Sequence, residues 1–584
     1  MTASHTLSFE RLAAAFEELE HTSSRKQLTA ILATLLREVE ANAVAEVAYL
    51  LQGRVAPLYE PVEFGVAQRS MEKAASDVYG IDPDEVRRRD AAAGDLGLVV
   101  AELAGAAPHT ASPSVREVFG KLRSLADMSG AGSAERKLNV VRELLRGLDP
   151  ISAKHLIRIP LGNSRLGVGD ATILAAFNEA HLDGTKASQL ILEDAYNRTS
   201  DLGLVGETLW TQGVDGVRKL QVTVGRPIRP QLAERLPDIP SLLDKLGGRA
   251  HTQLKFDGIR VQLHLDRTQP EGQQVQLFSR SLENFTGMFP ELVDGVLNQV
   301  QAETAILDSE ALAFNPASEE FLPFQETTRR RRKLGIEEAA TELPIKAMVF
   351  DVMYQDGQPL LDRPLLERME VLMKVVRGKE VLQPETGVIV DDPEKLDEIF
   401  EDALERGLEG LVVKRVDSPY QAGARNFNWV KLKRHSRGAL DDTIDCVLLG
   451  YFVGRGKRVG LGVGALLVGV YDKEADVFKS VTKIGTGLSD EQWREVGTRA
   501  EPFRSEHKPA RVVSSITPSV WLEPTIVVEV LADEITSSPN HTAGYALRFP
   551  RVIRFRDADK RPEDATTLQE LIGLYQAQPG RSVS

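Results

Sequence analysis

QLKFDGIR, residues 253–260, decides how the middle of this chain is read. On either side of its centre, Gln253, Leu254, Val261, Gln262, Leu263, His264 and Leu265 alternate as half-buried strands do, and Asp-Gly between two such runs is the strongest short signal for a β-hairpin. The expectation is a tight turn with Lys255 on one side and Arg260 on the other. A solvated hairpin tip would account for this stretch taken alone. Whether the lysine does more depends on the rest of the chain.

At 584 residues the chain exceeds one core, and a usual domain size of about 100–200 residues predicts three or four units. Hydrophobic content of 42% and charged content of 27% are those of a folded globular protein, not a tail or a fibre. A net charge of −14 argues against a nonspecific polycation but not against a locally basic groove, so nucleic acid stays among the candidate partners. Cys446, the one cysteine, has no intrachain disulfide partner, and no Cys/His cluster has zinc-ligand spacing; a reducing, cytoplasmic setting is expected. MTASHTLSFERLAAAFEELE at the N-terminus has no apolar signal core, no stretch is long enough to span a bilayer, and the C-terminus carries no lipidation motif. Neither export nor a membrane anchor is expected, and nothing in the composition suggests more than a monomer.

Residues 1–220 read as an all-helical domain: Phe9, Leu12, Phe16 and Leu19, then Leu28, Ile31, Leu32, Leu35 and Leu36, recur at spacings of three and four. Within it LGNSRLGVGDATILAAF, residues 161–177, sets a Gly-rich loop with Asn163, Ser164 and Arg165 before a helix starting near Asp170; it reads equally as a phosphate site or a plain helix connection. Two prolines in Val224-Gly225-Arg226-Pro227-Ile228-Arg229-Pro230 mark a linker. Residues 221–438 then mix β-branched runs (VQLFSRS, AILDSEALAF, KAMVFDVMY, GLVVKR) with helical stretches such as DDPEKLDEIFEDALERG, an α+β domain. From 439 to 584 short strands with Gly turns predict a small β-barrel, closed by the helix of TTLQELIGLYQ. RRRRK, residues 329–333, reads as a solvated helix face, and GLGVGA, residues 460–465, as a Gly turn; no G-x-x-x-x-G-K-[ST] is present to suggest a P-loop.

Four further stretches place charges at strand edges: ILDSE ends on Glu310, FSRSLENFTGMFP carries Arg280, LEGLVVKR carries Glu409 and Lys414, and FNWVKLKR offers Lys431 and Lys433. Together with Lys255 they supply what nucleotide chemistry needs: a nucleophile, cations for phosphate, carboxylates for a metal or a ribose hydroxyl, and an aromatic for a base. A lysine attacks only when neutral, so its pKa must fall from about 10.4, as a nearby metal or cationic cluster would make it do. Lys431, Lys433 and a Mg²⁺ ion held by Glu409 would have that effect while stabilising charge on an α-phosphate.

The order Lys-x-Asp-Gly-x-Arg, Ser-Arg, Asp-x-Glu, Phe-Asp-Val, Glu-Gly-Leu-Val-Val-Lys, Lys-x-Lys resembles the motif series of the covalent nucleotidyltransferases, that is, polynucleotide ligases and mRNA capping enzymes. The nearer resemblance is to ATP-dependent DNA ligases of the archaeal and eukaryotic replicative type. It extends through the helical front end, GRPIRPQLAE, WLEPTIVVEVLADEIT and LRFPRVIRFRDADKRPEDATT. The resemblance implies an all-α DNA-binding domain, an α+β nucleotidyltransferase (adenylation) domain and an OB-fold β-barrel, with ATP and Mg²⁺ or another divalent cation as cofactors and nicked double-stranded DNA as partner.

By the same resemblance Lys255 is the residue that becomes AMP-lysine. Gln253 belongs to the base pocket, Arg260 lies near the ribose and the 5′-phosphate end, Arg280 helps hold the nucleotide and nick phosphate, Glu310 meets a ribose hydroxyl or the metal, and Phe350 stacks on adenine. Glu409 is implied as the metal-binding acid, Arg425, Lys431 and Lys433 as the cations around the phosphates, and Lys560 as the barrel's contribution at pyrophosphate. Two departures stand out: Gln253 replaces the Glu of many relatives, and Arg556-Asp557-Ala558-Asp559-Lys560 is one residue longer than the usual Arg-x-Asp-Lys, which leaves the register of Asp559 and Lys560 open. The competing readings are an RNA ligase or capping enzyme, which the long helical domain disfavours, and a noncatalytic DNA binder, whose expected losses at Lys255, Glu310, Glu409 or Lys431 have not occurred. Gln274-Val275-Gln276-Leu277-Phe278 resembles a sliding-clamp-binding peptide but falls in an expected core strand.

Overall fold

The computed structural model describes residues 7–22, 24–235, 239–315, 320–322, 326–327, 330, 335–406, 408–433, 443–454, 462–485, 488–505, 507–556 and 560–578. The chain divides into two compact units, Met1–Glu234 with Leu246–Val390 and Val412–Val430, and Arg235–Lys245 with Asp391–Leu411 and Lys431–Ser584.

The first unit opens with helices running from Phe9–Glu20 to Leu202–Arg218. Spacings of three and four put Phe9, Leu12, Phe16 and Leu19 on one buried face, as the periodicity predicts. Helix starts are capped by local side chains: Ser8 accepts the Arg11 N–H, Ser114 and Glu117 satisfy each other's backbone, and Asp149 precedes Pro150 at the first helical position. The Gly-rich loop does lead into a helix at Asp170. The mouth of that helix is occupied by protein groups, since the Asp170 carboxylate accepts hydrogen bonds from Gln52 Nε2 at 3.0 Å, Tyr196 OH at 2.6 Å and Arg229 at 3.1 Å.

Two sheets follow. One has the order Val275–Ser279, Ile259–Asp266, Thr304–Asn315, Ile345–Gln355, Gln358–Pro359; the other runs Leu232–Arg235, Arg425–Lys433, Gly410–Arg415, Ala250–Lys255, Val388–Val390. Ala250–Lys255 and Ile259–Asp266 therefore sit in different sheets, and the hairpin expected at Asp257-Gly258 is corrected to a crossover between them. The reason lies in which property of glycine is used. Gly258 is outside the left-handed region that a primed turn requires, but a Cβ there would lie 2.4 Å from the Ala311 carbonyl oxygen and 2.8 Å from Leu312 Cδ2. This glycine permits close approach; it does not reverse the chain.

The proline-rich linker is packed: Val222 and Ile228 are buried beside Ile306, Met353, Tyr420 and Trp429, and the Ile228 N–H donates to Gln262 Oε1 at 3.0 Å. The domain boundary expected at 438/439 falls outside the described residues. Arg330, the described member of RRRRK, is not on a solvated face; it is buried, donates to Glu291 and lies 5.8 Å from the Phe289 ring centre, and the Glu291 carboxylate supplies the anion that a guanidinium withdrawn from water requires. Gln274–Phe278 enters the strand Val275–Ser279, which pairs with Ile259–Asp266 and buries Val275, Leu277 and Phe278.

The second unit carries a curled sheet, a half-barrel of OB type, in the order Arg504–Ser505, Val520–Leu522, Ile444–Val453, Val463–Asp472, Val477–Ile484, Val512–Val513; Val527–Leu531 pairs with Ile444–Val453 and with Arg551–Phe555. Its interior face gathers Ile444, Cys446, Leu448, Leu466, Val468, Val528 and Val530 with Trp493. Leu568–Ala577 is the expected closing helix, started by a Thr567–Glu570 capping box. Gly460 and Leu461 of the Gly-rich turn lie outside the described residues, and Val463 already begins a strand. No helix among the described residues is long and apolar enough to cross a membrane.

Candidate active site

Lys255 ends its strand half-buried, just before the crossover. Burial draws its amine below the ordinary lysine value; Glu310 and Asp257 oppose the shift, and Arg280 and Arg260 reinforce it. Desolvation thus leads, where the sequence pointed to lysines and a metal as the cause. The next strand's alternation points Asp308 and Glu310 to the same side, and the register sets Glu310 opposite Arg260. Glu310 Oε1 accepts the Gly258 N–H at 3.1 Å. Burial pushes the Glu310 carboxyl up to about 7 against the pull of Lys255 and Arg260.

Arg260 is held firmly. Its Nε and Nη2 donate to Asp308 at 3.1 and 2.6 Å, and Nη1 donates to the Gln231 carbonyl at 2.7 Å. Tyr420 OH donates to the same Asp308 at 2.8 Å. Burial works against the Arg260 charge, and Asp308 more than offsets it, so the guanidinium stays above its usual value. Its carbon lies 5.4 Å from the Phe350 ring centre and 5.7 Å from that of Trp429.

Phe350 meets Trp429 edge-on at 6.1 Å. Lys414 Nζ sits 4.9 Å from the Phe350 ring and 4.0 Å from the Trp429 ring, and donates to the Phe350 carbonyl at 3.3 Å. Burial lowers this amine to about 8 despite Asp351, whose carboxylate is bound by the fully buried Arg368 at 2.8 Å. Gln253 Nε2 donates to the Phe350 carbonyl at 3.2 Å and the Glu385 carbonyl at 2.9 Å. Its Oε1 is a buried acceptor without a hydrogen bond among the described residues.

The first unit by itself therefore brings Gln253, Lys255, Arg260, Arg280, Glu310 and Phe350 together. Arg280 stands exposed just after Val275–Ser279, and Arg425 exposed at the start of Arg425–Lys433. Trp429 and Lys431 share a face of that strand by alternation. Lys433 ends it, with its side chain outside the described residues. Glu409 is half-buried directly before Gly410–Arg415. Glu409, Lys431, Lys433 and Lys560 belong to the second compact unit, where Lys560 binds Asp445; Asp559 is outside the described residues.

Asp308, Lys414, Tyr420 and Trp429 went unassigned from the sequence. Asp308 and Trp429 each sit two positions before a residue already singled out, so alternation could have raised them, while Lys414, noted as a strand-edge charge closing Glu-Gly-Leu-Val-Val-Lys, was given no role. Tyr420 offers no such local signal. In the helical region Glu17, Glu20 and His155 approach as metal ligands would, but Lys154 already binds Glu17 and Glu20 and Arg158 binds Glu20, so the cluster is a closed ion network.

Family models match the chain in order along its length: the DNA ligase N terminus at residues 8–178, the ATP dependent DNA ligase domain at 230–433, and the ATP dependent DNA ligase C terminal region at 460–560. A probable DNA ligase of Dictyoglomus turgidum is 41% identical over 582 residues, covering 98% of each chain. A DNA ligase of Sulfolobus acidocaldarius is 37% identical over 600 residues, covering 99% of each. The solved chain Pmar-Lig_PreS3 shares the fold, with a TM-score of 0.55 at 17% identity over 93% of this chain and 99% of that one.

Proposed function

The chain belongs to the ATP-dependent DNA ligases, and on that footing we propose that Lys255 is the residue that carries AMP. Its Nζ attacks the α-phosphorus of ATP: the N–P bond forms, the bond to pyrophosphate breaks, and the amine gives up its proton. AMP then passes to the 5′-phosphate of a nick, and the neighbouring 3′-hydroxyl displaces AMP to seal the strand. Every step is phosphoryl transfer, in which positioning and charge neutralisation do most of the work. The observation that carries this reading is the half-buried amine of Lys255, drawn below its ordinary value by desolvation and set among Glu310, Arg260 and Arg280.

Around it Phe350 stacks on adenine. Both Gln253 N–H groups are committed to carbonyls, which leaves Oε1 to accept from adenine's 6-amino group, so this departure from Glu still reads the base. Glu310 meets a ribose hydroxyl; Arg260, fixed by Asp308, faces the ribose and the 5′-phosphate end; Arg280, Arg425, Lys431 and Lys433 receive phosphates; and Lys560 attends the pyrophosphate. A divalent cation fits the donor chemistry: Glu310 is a carboxylate whose charge is left undercompensated, and Glu409 is a second hard oxygen donor. Those two residues would hold Mg²⁺, which when bound supplies positive charge to the phosphates.

The domains are 1–220, 221–438 and 439–584. The helical domain grips the duplex through its phosphates, giving salt-sensitive, sequence-independent binding. The protein acts as a cytoplasmic monomer on nicks of the kind left by replication, repair and recombination; a sliding clamp is no part of the proposal, because the peptide that suggested one is committed to a strand. The test is incubation with Mg²⁺ and ATP labelled at the α-phosphate. Acid-labile label on the chain, absent from Lys255→Ala and discharged by nicked duplex, is expected. Protein stripped of AMP that takes up no label sinks the reading.

A further inference from the structure

Asp445 lies on the barrel strand Ile444–Val453 with its backbone pinned both ways: its N–H donates to Thr566 Oγ1 at 3.0 Å, and its carbonyl accepts the Thr566 N–H at 2.9 Å. The register sets Asp445 directly opposite Glu529 on Val527–Leu531. Two carboxylates facing each other across a strand pair repel, and both are largely withdrawn from water, with side-chain exposures of 11% and 12%. Cations must therefore be supplied. Arg554 reaches Glu529 at 2.6 Å, Arg556 lies 3.6 Å from Asp445 and 3.7 Å from Glu529, and Lys560 binds Asp445.

Lys560 is the more exposed partner, its side chain 30% accessible. It is brought there by a backbone bond from its N–H to the Arg556 carbonyl at 2.8 Å. Arg556 and Lys560, joined by that bond, both reach Asp445. If Lys560 departs, Arg556 stays to compensate the acid.

We propose that Asp445 is the resting partner of Lys560, a positioning residue that holds the lysine on the barrel until the β- and γ-phosphates of ATP replace the carboxylate. This rests on the reading that Lys560 attends the pyrophosphate end of ATP. The nucleotide competes with Asp445 for one ammonium group, so the acid raises KM for ATP while leaving later steps alone.

The test separates two reactions of the full chain: self-adenylation from α-labelled ATP, and sealing of a nick whose 5′ end already carries AMP, which needs no ATP. Asp445→Asn is expected to lower KM for ATP about fivefold, equivalent to ~1 kcal/mol. Sealing of the pre-adenylated nick is expected to be unchanged, and Asp445→Glu to keep the wild-type KM. A KM that is unchanged or higher in Asp445→Asn overturns the proposal. Lys560→Ala is made in parallel: self-adenylation slowed at least tenfold upholds the pyrophosphate role, whereas wild-type self-adenylation removes that role and the inference with it. Carbodiimide coupling of the wild-type chain needs no variant to fold. An amide between Asp445 and Lys560 is expected by peptide mapping, suppressed when pyrophosphate is present at saturation; coupling that pyrophosphate leaves untouched refutes the exchange.

Discussion

Gly258→Ala tests the crossover that places the lysine. The added Cβ would lie 2.4 Å from the Ala311 carbonyl oxygen, 2.8 Å from Leu312 Cδ2 and 3.1 Å from Glu310 Cγ, against an ordinary contact of 3.4 Å or more. Backbone strain is not at issue, because Gly258 is outside the left-handed region. About 1 Å must be found somewhere. Ala311 cannot supply it, being paired with Ile259 on one side and Ala347 on the other, so the loop of Phe256, Asp257 and Gly258 has to move. That displacement stretches the 3.1 Å bond from the Gly258 N–H to Glu310 and drags Lys255 with it. Overpacking of this kind costs about 1–3 kcal/mol of stability, and a misplacement of about 1 Å at a reacting group costs on the order of a hundredfold in rate. Self-adenylation with α-labelled ATP and a thermal melt read the two effects. Gly287→Ala serves as control, since nothing lies within 4 Å of its Cβ position. A Gly258→Ala protein that melts and adenylates like wild type would refute the account of why glycine stands there and of what fixes Lys255.

On the reading that Lys255 carries AMP, only its neutral amine attacks, and because burial draws that amine below the ordinary lysine value the self-adenylation rate should rise with pH and level off at a midpoint below about 10.4. A midpoint at or above that value contradicts the desolvation argument. Asp308→Asn leaves the buried Arg260 without its counter-charge and should destabilise the fold by about 3–5 kcal/mol in urea melts; a loss under about 1 kcal/mol would show that the pair is replaceable. Glu310, raised from 4.5 to about 7, keeps its proton longer in the folded chain than in the unfolded one, so wild-type stability falls as pH climbs through that window. Glu310→Gln, measured with EDTA present, should therefore gain on wild type by up to about 3 kcal/mol between pH 4.5 and 8, and a pH-independent difference would count against it.

Helices and strands were legible because side-chain periodicity is a local property. Phe9, Leu12, Phe16 and Leu19 share a buried helical face whatever they pack on, and Asp308 and Glu310 share a strand face whatever strand lies beside them. The motif order along the chain likewise sufficed to single out Lys255, Glu310 and Phe350. Pairing is not local. Asp257-Gly258 carries a hairpin signal, yet the two strands it joins enter different sheets, because Gly258 packs against Ala311, far along the sequence. The same holds for charge. Arg260 is fixed by Asp308, 48 residues away, and by Tyr420, 160 residues away, while the amine of Lys255 is tuned first by its removal from water. Arg330 makes the point in reverse, for a run of basic residues implied solvent and one of them lies buried on Glu291. Desolvation and ion pairing sum over neighbours that only the folded chain assembles, so the sequence by itself determined which residues were available for the chemistry, and tertiary structure decided their partners and their protonation.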